Sequence, residues 1–532
     1  MLFTVFSFLL CMVLVGFYVV KQTRKSSLDT QDGYFLAGRS LTAPVIASSI
    51  ILTNLSTEQL IGQSGQAYAA NMGPMAWEAT SCIATIFLAA LFLPRYLKAG
   101  ITTIPEFLEK RYDGRVKRIV SVLFLLGYLF CYLPTVLYSG ALVFNQIFGI
   151  DKMLGSSQFM GVVVTATALG IIGATYAVIG GLKASASADS IFGVGLIIGG
   201  FMIPLLGLAS LGGGNPLVGI QHLIELIPAE KFNAINPANA QAPMVPWPLL
   251  FTGMLFNNLF YWCTNQSIIQ RALAAKNLKE AQKGALLAGA FKLLTPLFIT
   301  FCGIIAYGKF GTTLTNSDLA YPMLVLDVLP KALLGFFAAI LFGAILSSFN
   351  GALNGSIAMY TLDIHKPLFN PDATDKDLVK IGRRFGFGLA ALSIVVAPLV
   401  SFAPTGLYDF LQSCFGFYNM PILAAVIVGI FSKKVPASAP KIVLISHVIL
   451  YSISKFLPLN VHYLYILSVL FIIDVLVLLF IGKIHPRETD FVLEDVKAVD
   501  LTPWKHIKAA SVFCVAGLVV LYIIFSPLGL GK

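Results

Sequence analysis

At residues 54–59 the chain reads Asn-Leu-Ser-Thr-Glu-Gln, in the middle of an otherwise apolar run from about Ala43 to Ala70. That run is long enough to cross a lipid bilayer, which requires about 20 residues of helix. Polar and ionisable side chains cost free energy at this depth, so they face a cavity or a buried partner and mark functional sites. The stretch therefore predicts a membrane-spanning segment that is interrupted by functional residues.

A second polar interruption lies about 200 residues later, where residues 257–266 read Asn-Asn-Leu-Phe-Tyr-Trp-Cys-Thr-Asn-Gln inside another hydrophobic segment. Neither interruption contains glycine or proline, so a break in each helix is expected from side chains that compete for backbone hydrogen bonds. Two interrupted segments at corresponding positions of two halves are typical of the binding site of a secondary transporter.

The composition indicates a multi-spanning membrane protein. Of the 532 residues, 57% are hydrophobic and only 11% are charged, against about 25% charged in an average protein. Apolar runs of helix-spanning length recur along the chain, which predicts an all-α membrane protein. The seven cysteines lie in predicted spans without a CxxC pair, so they are interpreted as small buried hydrophobes. The apolar stretch 2–20 lacks a basic start and a cleavage site, so it is predicted to be a retained span.

Fourteen membrane spans are predicted, and the loops between them differ in charge. The spans cover residues 2–20, 43–70, 74–98, 117–148, 157–180, 187–210, 247–270, 284–307, 331–361, 381–402, 407–431, 440–457, 462–482 and 508–528. One alternating set of loops holds 29 of the 36 basic residues. By the positive-inside rule this set is cytoplasmic, so both termini are expected outside. The expected location is the plasma membrane, which in a bacterium is the inner membrane with periplasmic termini.

The fourteen spans suggest a symmetric core within one membrane domain that covers residues 1–532. Residues 2–20 form a first peripheral helix, and residues 440–528 form three C-terminal helices. The ten spans between them fall into 43–210 and 247–431, five each, joined by an external linker at 211–246. Because five is odd, the second block runs opposite to the first, which is an inverted repeat with a polar interruption opening each half.

The chain resembles the sodium:solute symporter family, near its bacterial sodium/galactose branch, over about residues 30–431. The resemblance is carried by Tyr-Phe-Leu-Ala-Gly-Arg-Ser-Leu at 34–41, Asn-Leu-Ser-Thr-Glu-Gln at 54–59, Thr-Ile-Pro-Glu-Phe-Leu at 103–108, Ile-Gly-Gly-Leu at 179–182, Ile-Gln-Arg-Ala-Leu-Ala-Ala-Lys at 269–276 and Ala-Ile-Leu-Ser-Ser at 344–348. It implies a LeuT-type fold with ten core helices, and coupling of inward sodium movement to nutrient uptake.

The resemblance implies a sodium site made of the backbone carbonyls of Leu52, Leu55 and Ala344 and the hydroxyls of Ser347 and Ser348. Sodium is a hard cation that takes oxygen ligands, and a broken helix supplies free carbonyls. The two serines lie three and four residues after Ala344, on one helix face. The alternative is that these serines merely hydrogen-bond to carbonyls of their own helix.

Asp189 has two interpretations. The family places an acid at this position beside the sodium exit route. The alternative is an ordinary N-cap, because Asp189 lies near the start of a predicted helix.

The resemblance to the galactose branch implies sugar-hydroxyl partners at Gln59, Glu78, Ser81, Asn258, Lys292 and Gln412, with Asn54 and Glu58 in the same polar set. Tyr261 would stack on the sugar as the inner gate, and Tyr128 and Tyr408 would close the outer side. Lys292 follows Lys283 by nine residues, about 13 Å of helix, so a buried partner is expected. The alternative is that these residues form interhelical hydrogen bonds that only stabilise the bundle.

The residue types favour a neutral polyhydroxyl solute, because no arginine lies inside a predicted span to clamp a carboxylate. Phe260, Gln63 and Tyr132 replace a tyrosine, a methionine and an asparagine found near the pocket of galactose transporters, so galactose itself is not singled out. The hypothesis is a Na⁺-driven symporter for a neutral sugar or sugar-like polyol, working by alternating access.

Three alternatives remain open. The same machinery could carry an anionic sugar, an amino acid or a vitamin, or the protein could be a Na⁺-independent facilitator. A sensor or an enzyme is disfavoured, because the sequence shows no sizeable soluble domain and no nucleophile–base or metal-ligand set.

Overall fold

The computed structural model describes residues 2–23, 28–402 and 407–532, and every regular element in these ranges is helical. The helices used below are α1 (Leu2–Thr23), α2 (Ala43–Asn54), α3 (Thr57–Ala69), α4 (Met75–Ala99), α5 (Gly114–Phe148), α6 (Gln158–Leu211), α7 (Gly253–Cys263), α8 (Gln266–Leu273), α9 (Leu278–Lys292), α10 (Thr295–Phe310), α11 (Lys331–Phe369), α12 (Asp375–Phe402), α13 (Leu407–Phe415), α14 (Asn419–Phe431), α15 (Ser438–Phe456), α16 (Tyr463–Ile484) and α17 (Ile507–Ile524). The predicted all-α membrane architecture is confirmed.

In the described ranges, nine helices are long and apolar enough to cross a membrane, or eleven if each of two bent pairs counts as one span. The bent pairs are α9 with α10 and α13 with α14, at 45° and 44°. Helix α6 contains 54 residues, about 80 Å at 1.5 Å per residue, far more than a bilayer core of about 30 Å. Fourteen spans remains a prediction.

Gly181 divides α6 between the predicted spans 157–180 and 187–210. Its backbone lies at φ 61° and ψ −163°, a region that is essentially restricted to glycine. A Cβ atom at this position would lie 2.9 Å from the carbonyl oxygen of Tyr34. The glycine therefore allows both the break and the close approach of the segment that precedes α2.

Polar side chains break the two interrupted helices, as the sequence predicted. Helix α2 ends at Asn54, and Leu55 and Ser56 are extended. The Gln59 side chain then accepts a hydrogen bond from the Ser56 backbone N–H at 3.1 Å. At the second break the Asn265 side chain caps α8 by accepting the Ser267 N–H at 3.0 Å. These caps satisfy backbone groups that a helix end leaves free.

The broken helices lie inside the bundle. Helix α6 packs on α2, α5 and α11, helix α3 packs on α10, and helix α7 packs on α4. Helix α8 contacts both α2 and α11, which brings the two breaks close together. In contrast, α1 and α17 lie at the periphery, where only 11% of the spanning window of each is buried.

The C-terminal helices α15 and α16 hold the bend between α13 and α14. The buried His447 ring contacts Asp474 Oδ2 at 2.7 Å through Nδ1 and the Gly416 carbonyl oxygen at 3.0 Å through Nε2. Since a carbonyl only accepts, Nε2 carries the proton. The Tyr451 hydroxyl donates to the Ser413 carbonyl at 3.0 Å. Helices beyond the ten predicted core spans thus position a bend within them.

Candidate functional site

The two breaks meet at a small central cavity of about 20 Å³, room for roughly one water molecule. Seven of the predicted substrate and gate residues line it, namely Asn54, Gln59, Glu78, Asn258, Tyr261, Tyr408 and Gln412. The prediction that both polar interruptions face a shared space agrees with this geometry. Six lining residues were not predicted as ligands, namely Trp77, Tyr132, Asn257, Trp262, Leu411 and Phe415. Asn257 and Trp262 lie within the second polar interruption, so their position in the sequence could have identified them as lining residues.

Lys292 organises the polar side of this cavity from behind its wall. Lys292 is 1% exposed, and its ammonium group pairs with Glu78 Oε2 and donates to Asn54 Oδ1. The other Glu78 oxygen, Oε1, accepts a hydrogen bond from Gln63 Nε2 at 2.8 Å. The Thr295 hydroxyl donates to Glu78 Oε2 at 3.1 Å. The buried partner expected for Lys292 is therefore present, and the pair has no net charge.

Amide groups line the opposite side of the cavity. Asn257 Nδ2 donates to Gln412 Oε1 at 3.4 Å, and Asn257 Oδ1 accepts from Asn419 Nδ2 at 2.7 Å. Asn258 Nδ2 donates to the Thr80 hydroxyl at 2.8 Å. These contacts link α7 to α4, α13 and α14. The amides therefore have fixed orientations and retain hydrogen-bonding capacity toward the cavity.

Aromatic rings complete the lining. Trp77 meets Tyr408 edge to face with ring centroids 5.4 Å apart, and Tyr132 meets Phe415 at 5.7 Å. The Tyr261 and Trp262 rings lie 5.9 Å apart. Aromatic faces beside amides and a neutralised ion pair can bind a solute that has both apolar C–H faces and hydroxyl groups.

Four predicted residues do not line the cavity, namely Lys292, Ser81, Glu58 and Tyr128. The Ser81 hydroxyl donates to the Glu78 carbonyl at 2.5 Å, within its own helix, because helical rotation turns it toward the preceding turn. Glu58 is fully buried but lies outside the cavity lining, because it is offset by about 100° around α3 from its neighbour Gln59. The roles of Ser81 and Glu58 as substrate contacts stay predictions.

Tyr128 also lies outside the cavity lining. Its hydroxyl donates to Asn265 Oδ1 at 2.6 Å and accepts from the Ser267 N–H at 3.2 Å. Helix α7 runs from the 211–246 linker to this break, so Tyr128 lies at the far end of α7 from the linker. Its predicted place on the outer side stays a prediction, and its hydroxyl ties α5 to the α7–α8 break.

A second cavity of about 470 Å³ lies on the side of the 211–246 linker. It is lined by Gly62, Gln66, Ala69, Ala242, Pro243, Ser317, Asp318, Tyr408, Asp409, Ser413, Lys455 and Tyr463. Tyr408 lines both cavities. Its ring therefore stands between the central cavity and the cavity next to the linker.

Three of the five predicted sodium ligands come together where α2 meets α11, namely Leu52, Ser347 and Ser348. The Ser348 hydroxyl lies 2.8 Å from the Thr53 carbonyl oxygen and 3.4 Å from that of Leu52. The Ser347 hydroxyl lies 3.2 Å from the Thr53 hydroxyl. The carbonyls at the end of α2 have no partner in the next helical turn. This set of hard oxygen donors fits Na⁺, and the serine hydroxyls contact α2.

Asp189 lies beside this oxygen set and is not an N-cap. It stands eight residues beyond the Gly181 break, inside a continuous helical stretch. Its carboxylate accepts a hydrogen bond from the Ser49 hydroxyl at 2.5 Å and lies 3.9 Å from Arg271 Nη2. The N-cap interpretation is therefore wrong.

Arg271 corrects a second sequence-based assumption. It directly follows the predicted span 247–270, and no arginine was expected within a span. Arg271 instead lies in α8 and is fully buried. It donates to the Ser49 hydroxyl at 2.9 Å and to the Ser267 carbonyl at 2.7 Å. A buried carboxylate, a hydroxyl and one backbone carbonyl compensate its charge, which a count of charges along the sequence could not reveal.

The family model "Sodium:solute symporter family" matches residues 34–439. This range contains both breaks, the central cavity and the oxygen set of α2 and α11. The chain belongs to the sodium:solute symporter family. Members of this family are transporters rather than enzymes, and sodium is their coupling ion. This symporter is therefore a multi-pass membrane transporter.

Relatives support the same assignment. The symporter is 46% identical over 521 residues to the uncharacterized symporter YidK of Escherichia coli K12, covering 97% of this chain and 90% of that protein. It is 32% identical to a sodium/glucose cotransporter of Vibrio parahaemolyticus, covering 84% of each.

A solved structure supports the fold. A Na⁺-coupled sialic acid symporter in a substrate-bound, outward-open state superimposes with a TM-score of 0.76 at 18% identity, covering 91% of this chain and 98% of that one. This symporter therefore has the LeuT-type sodium symporter fold.

Proposed function

We propose that this symporter couples inward sodium movement to the import of a neutral sugar or sugar-like polyol. The observation that carries the proposal is the lining of the central cavity. Amides, phenols and the neutral Glu78–Lys292 pair surround it, with aromatic rings beside them. A polyol offers hydroxyls to the amides and carboxylate, and C–H faces to the rings.

The sodium ligands in this proposal are the carbonyls of Leu52, Leu55 and Ala344 and the hydroxyls of Ser347 and Ser348, with Asp189 beside the exit route. These groups come from both predicted repeats, so they separate when the two halves move apart. Sodium would then bind one conformation more tightly than the other, and that difference is the coupling free energy.

Alternating access in this proposal uses Tyr408 as the outer gate and Tyr261 as the inner gate. A hexose does not fit a cavity of about 20 Å³, so binding requires one of the two gates to move. The fourteen-span topology, the inverted five-helix repeats and the outside location of both termini belong to the same proposal.

A carboxylate-bearing solute is less well supported. Within the described ranges, Lys292 is the basic group in contact with the cavity lining, and Glu78 neutralises it. The buried Arg271 is held by Ser49, Ser267 and Asp189. Neither group offers a free bidentate clamp for a carboxylate.

Uptake into proteoliposomes tests the proposal. A panel of labelled neutral sugars, polyols, anionic sugars and amino acids is offered in sodium and in choline buffer. We expect sodium-dependent uptake of a neutral sugar or polyol. Uptake only of a carboxylate would contradict the substrate class, and uptake that ignores sodium would indicate a facilitator.

The Ser348→Ala variant tests the sodium site. We expect the sodium concentration for half-maximal uptake to rise roughly 10- to 100-fold, because a polar group that contacts a buried ion contributes about 1.5–3 kcal/mol. Ser393→Ala is the matched control, because Ser393 is equally buried and donates only to the Leu389 carbonyl of its own helix. Equal sodium affinity in the two variants would reject this site.

A further inference from the structure

A long segment without a regular helix or strand joins α16 to α17 and crosses one face of the bundle. This segment, residues 485–506, is called the strap. The positive-inside rule predicts that its face is cytoplasmic. Irregular connections longer than about 15 residues are uncommon in compact domains and are either functional or disordered. The strap is tied by hydrogen bonds to the ends of three helices, so its course across the bundle requires an explanation.

The first part of the strap is anchored at the end of α14. The Phe491 N–H donates to the Lys433 carbonyl at 3.1 Å. The Phe491 ring covers the Arg111 guanidinium, which lies 5.0 Å from the ring centroid. Arg111 is itself fully buried and donates to the carbonyls of Gly429 and Ser432 at 2.9 and 2.7 Å. Since these carbonyls lie at the end of α14, the strap packs on the residue that caps this helix.

The middle of the strap is anchored at the end of α4. The Val496 N–H donates to the Lys98 carbonyl at 3.1 Å. Gly100 follows α4 with a φ of 62°, and the Val496 side chain occupies the space beside it. A Cβ atom built at Gly100 would lie 3.5 Å from the Val496 Cβ. This anchor therefore depends on one backbone hydrogen bond and a half-exposed valine.

The last part of the strap is anchored at the start of α9. The Asp500 carbonyl accepts a hydrogen bond from the Leu278 N–H at 2.9 Å. Leu278 is the first residue of α9, so its N–H has no acceptor within the helix. The Trp504 N–H donates to Gln282 Oε1 at 2.7 Å. The strap thus satisfies a backbone group that the start of α9 leaves free.

These anchors connect the two predicted repeats. Helix α4 belongs to the repeat at 43–210, whereas α9 and α14 belong to the repeat at 247–431. Only residues 492–495 lie between the α14 anchor and the α4 anchor. Because a chain of that length has a short reach, the strap limits how far the two helix ends can separate.

We propose that the strap is a conformational lock that holds the cytoplasmic face closed while sodium is bound, and that its anchor on α4 releases when this face opens. The α4 anchor has this role because one backbone hydrogen bond forms it, whereas two, from Arg487 and Phe491, join the strap to the residues that follow α14. This proposal rests on the alternating access proposed above and adds a regulatory element outside the ten predicted core spans.

A reversible cross-link at the α4 anchor tests the lock. Gly100→Cys and Val496→Cys together place two Cβ atoms about 3.5 Å apart, a separation that a disulfide can bridge. We expect oxidation of the double variant to abolish sodium-dependent uptake of the labelled sugars and polyols into proteoliposomes, and dithiothreitol to restore it. Each single variant and the unmodified protein, oxidised in the same way, should keep uptake, which controls for the native cysteines.

Two other outcomes of this experiment are decisive. Full uptake by the cross-linked protein would overturn the lock and leave the proposed function intact. Absence of sodium-dependent uptake in the unmodified protein would overturn the proposed function instead.

Amide hydrogen exchange in the purified full-length symporter tests the lock without a cysteine, and it applies also if the double variant does not fold. We expect sodium, compared with potassium, to slow exchange in the strap peptide that contains Phe491 and Val496. The expected change is roughly 2- to 10-fold, which corresponds to one backbone hydrogen bond. The reason is that sodium favours the state in which the anchors are made.

Two proline variants of the strap complete the exchange experiment. Val496→Pro removes the N–H that donates to Lys98 and should lose the sodium protection. Val492→Pro is the matched control and should keep it, because the Val492 N–H has no backbone hydrogen bond in the described ranges. Equal exchange of the unmodified protein in sodium and potassium, or equal protection in the two variants, would overturn the lock.

Discussion

Lys292 shows how a single buried charge determines the chemistry of the central cavity. Its ammonium group reaches Glu78 and Asn54 from a helix more than 200 residues away in the chain. The pair keeps the cavity neutral and directs the Glu78 carboxylate toward it. One unpaired member of such a buried pair costs far more than the intact pair gains.

We therefore expect Lys292→Met to destabilise the symporter by about 3–5 kcal/mol, because it leaves Glu78 buried and uncompensated. The double variant with Glu78→Gln should recover most of that loss. Melting in detergent micelles measures both effects.

The control is Lys309→Ala, which breaks the partly exposed pair with Asp327 and should cost about 0–1 kcal/mol. Equal effects of the two lysine variants would contradict a special role for the buried pair.

At the scale of secondary-structure elements, the helix breaks determine where the candidate site forms. The α2–α3 and α7–α8 breaks place backbone carbonyls and side-chain caps beside the central cavity. The break in α6 has a different cause. It lies at Gly181, whose backbone adopts a conformation that other residue types disfavour. Asp189 follows it by eight residues, so the break also sets the position of the carboxylate that faces Arg271.

Substituting Gly181 with alanine should destabilise the protein by about 1–3 kcal/mol, because the conformation is essentially restricted to glycine. The added methyl group also meets the Tyr34 carbonyl oxygen. Thermal unfolding is the measurement. Gly388→Ala in α12 is the control, since its Cβ meets nothing within 4 Å, and it should stabilise by about 0.5–1 kcal/mol. Two changes of the same sign would refute this account of the break.

At the scale of the whole molecule, loops predicted on the same side of the membrane contact one another. Gln241 of the external linker donates to the Asn460 carbonyl at 3.2 Å. The backbone N–H of Val496 donates to the Lys98 carbonyl at 3.1 Å, and both residues belong to predicted cytoplasmic loops. The contacts agree with the predicted alternation of loops.

Cysteine labelling in intact cells decides the orientation. A membrane-impermeant maleimide should label Asn460→Cys in intact cells and Glu488→Cys only after permeabilisation, because both residues are exposed on opposite predicted sides. The unmodified protein gives the background from its native cysteines. The reverse pattern would invert the predicted topology.

The sequence by itself determined the membrane class, the family and the positions of both polar breaks. These features depend on local properties, namely the length of apolar runs and the caps formed by Gln59 and Asn265 within a few residues. It also pointed to most of the cavity lining, because the residues that break a helix are the ones that face the space at the break.

Only the tertiary structure decided which buried groups have partners. Arg271 directly follows the predicted span 247–270, and the sequence does not show that the distant Asp189 lies beside it. The contacts of Ser81 with its own helix and of Tyr128 with Asn265 likewise follow from helix rotation and packing. Glu58 and Glu78 are both acids in apolar segments. Glu78 is paired with Lys292, whereas the Glu58 carboxylate has no hydrogen-bond partner. The reason is physical: compensation of a buried charge depends on distances of a few ångströms between helices, and the order of residues along one helix does not specify them.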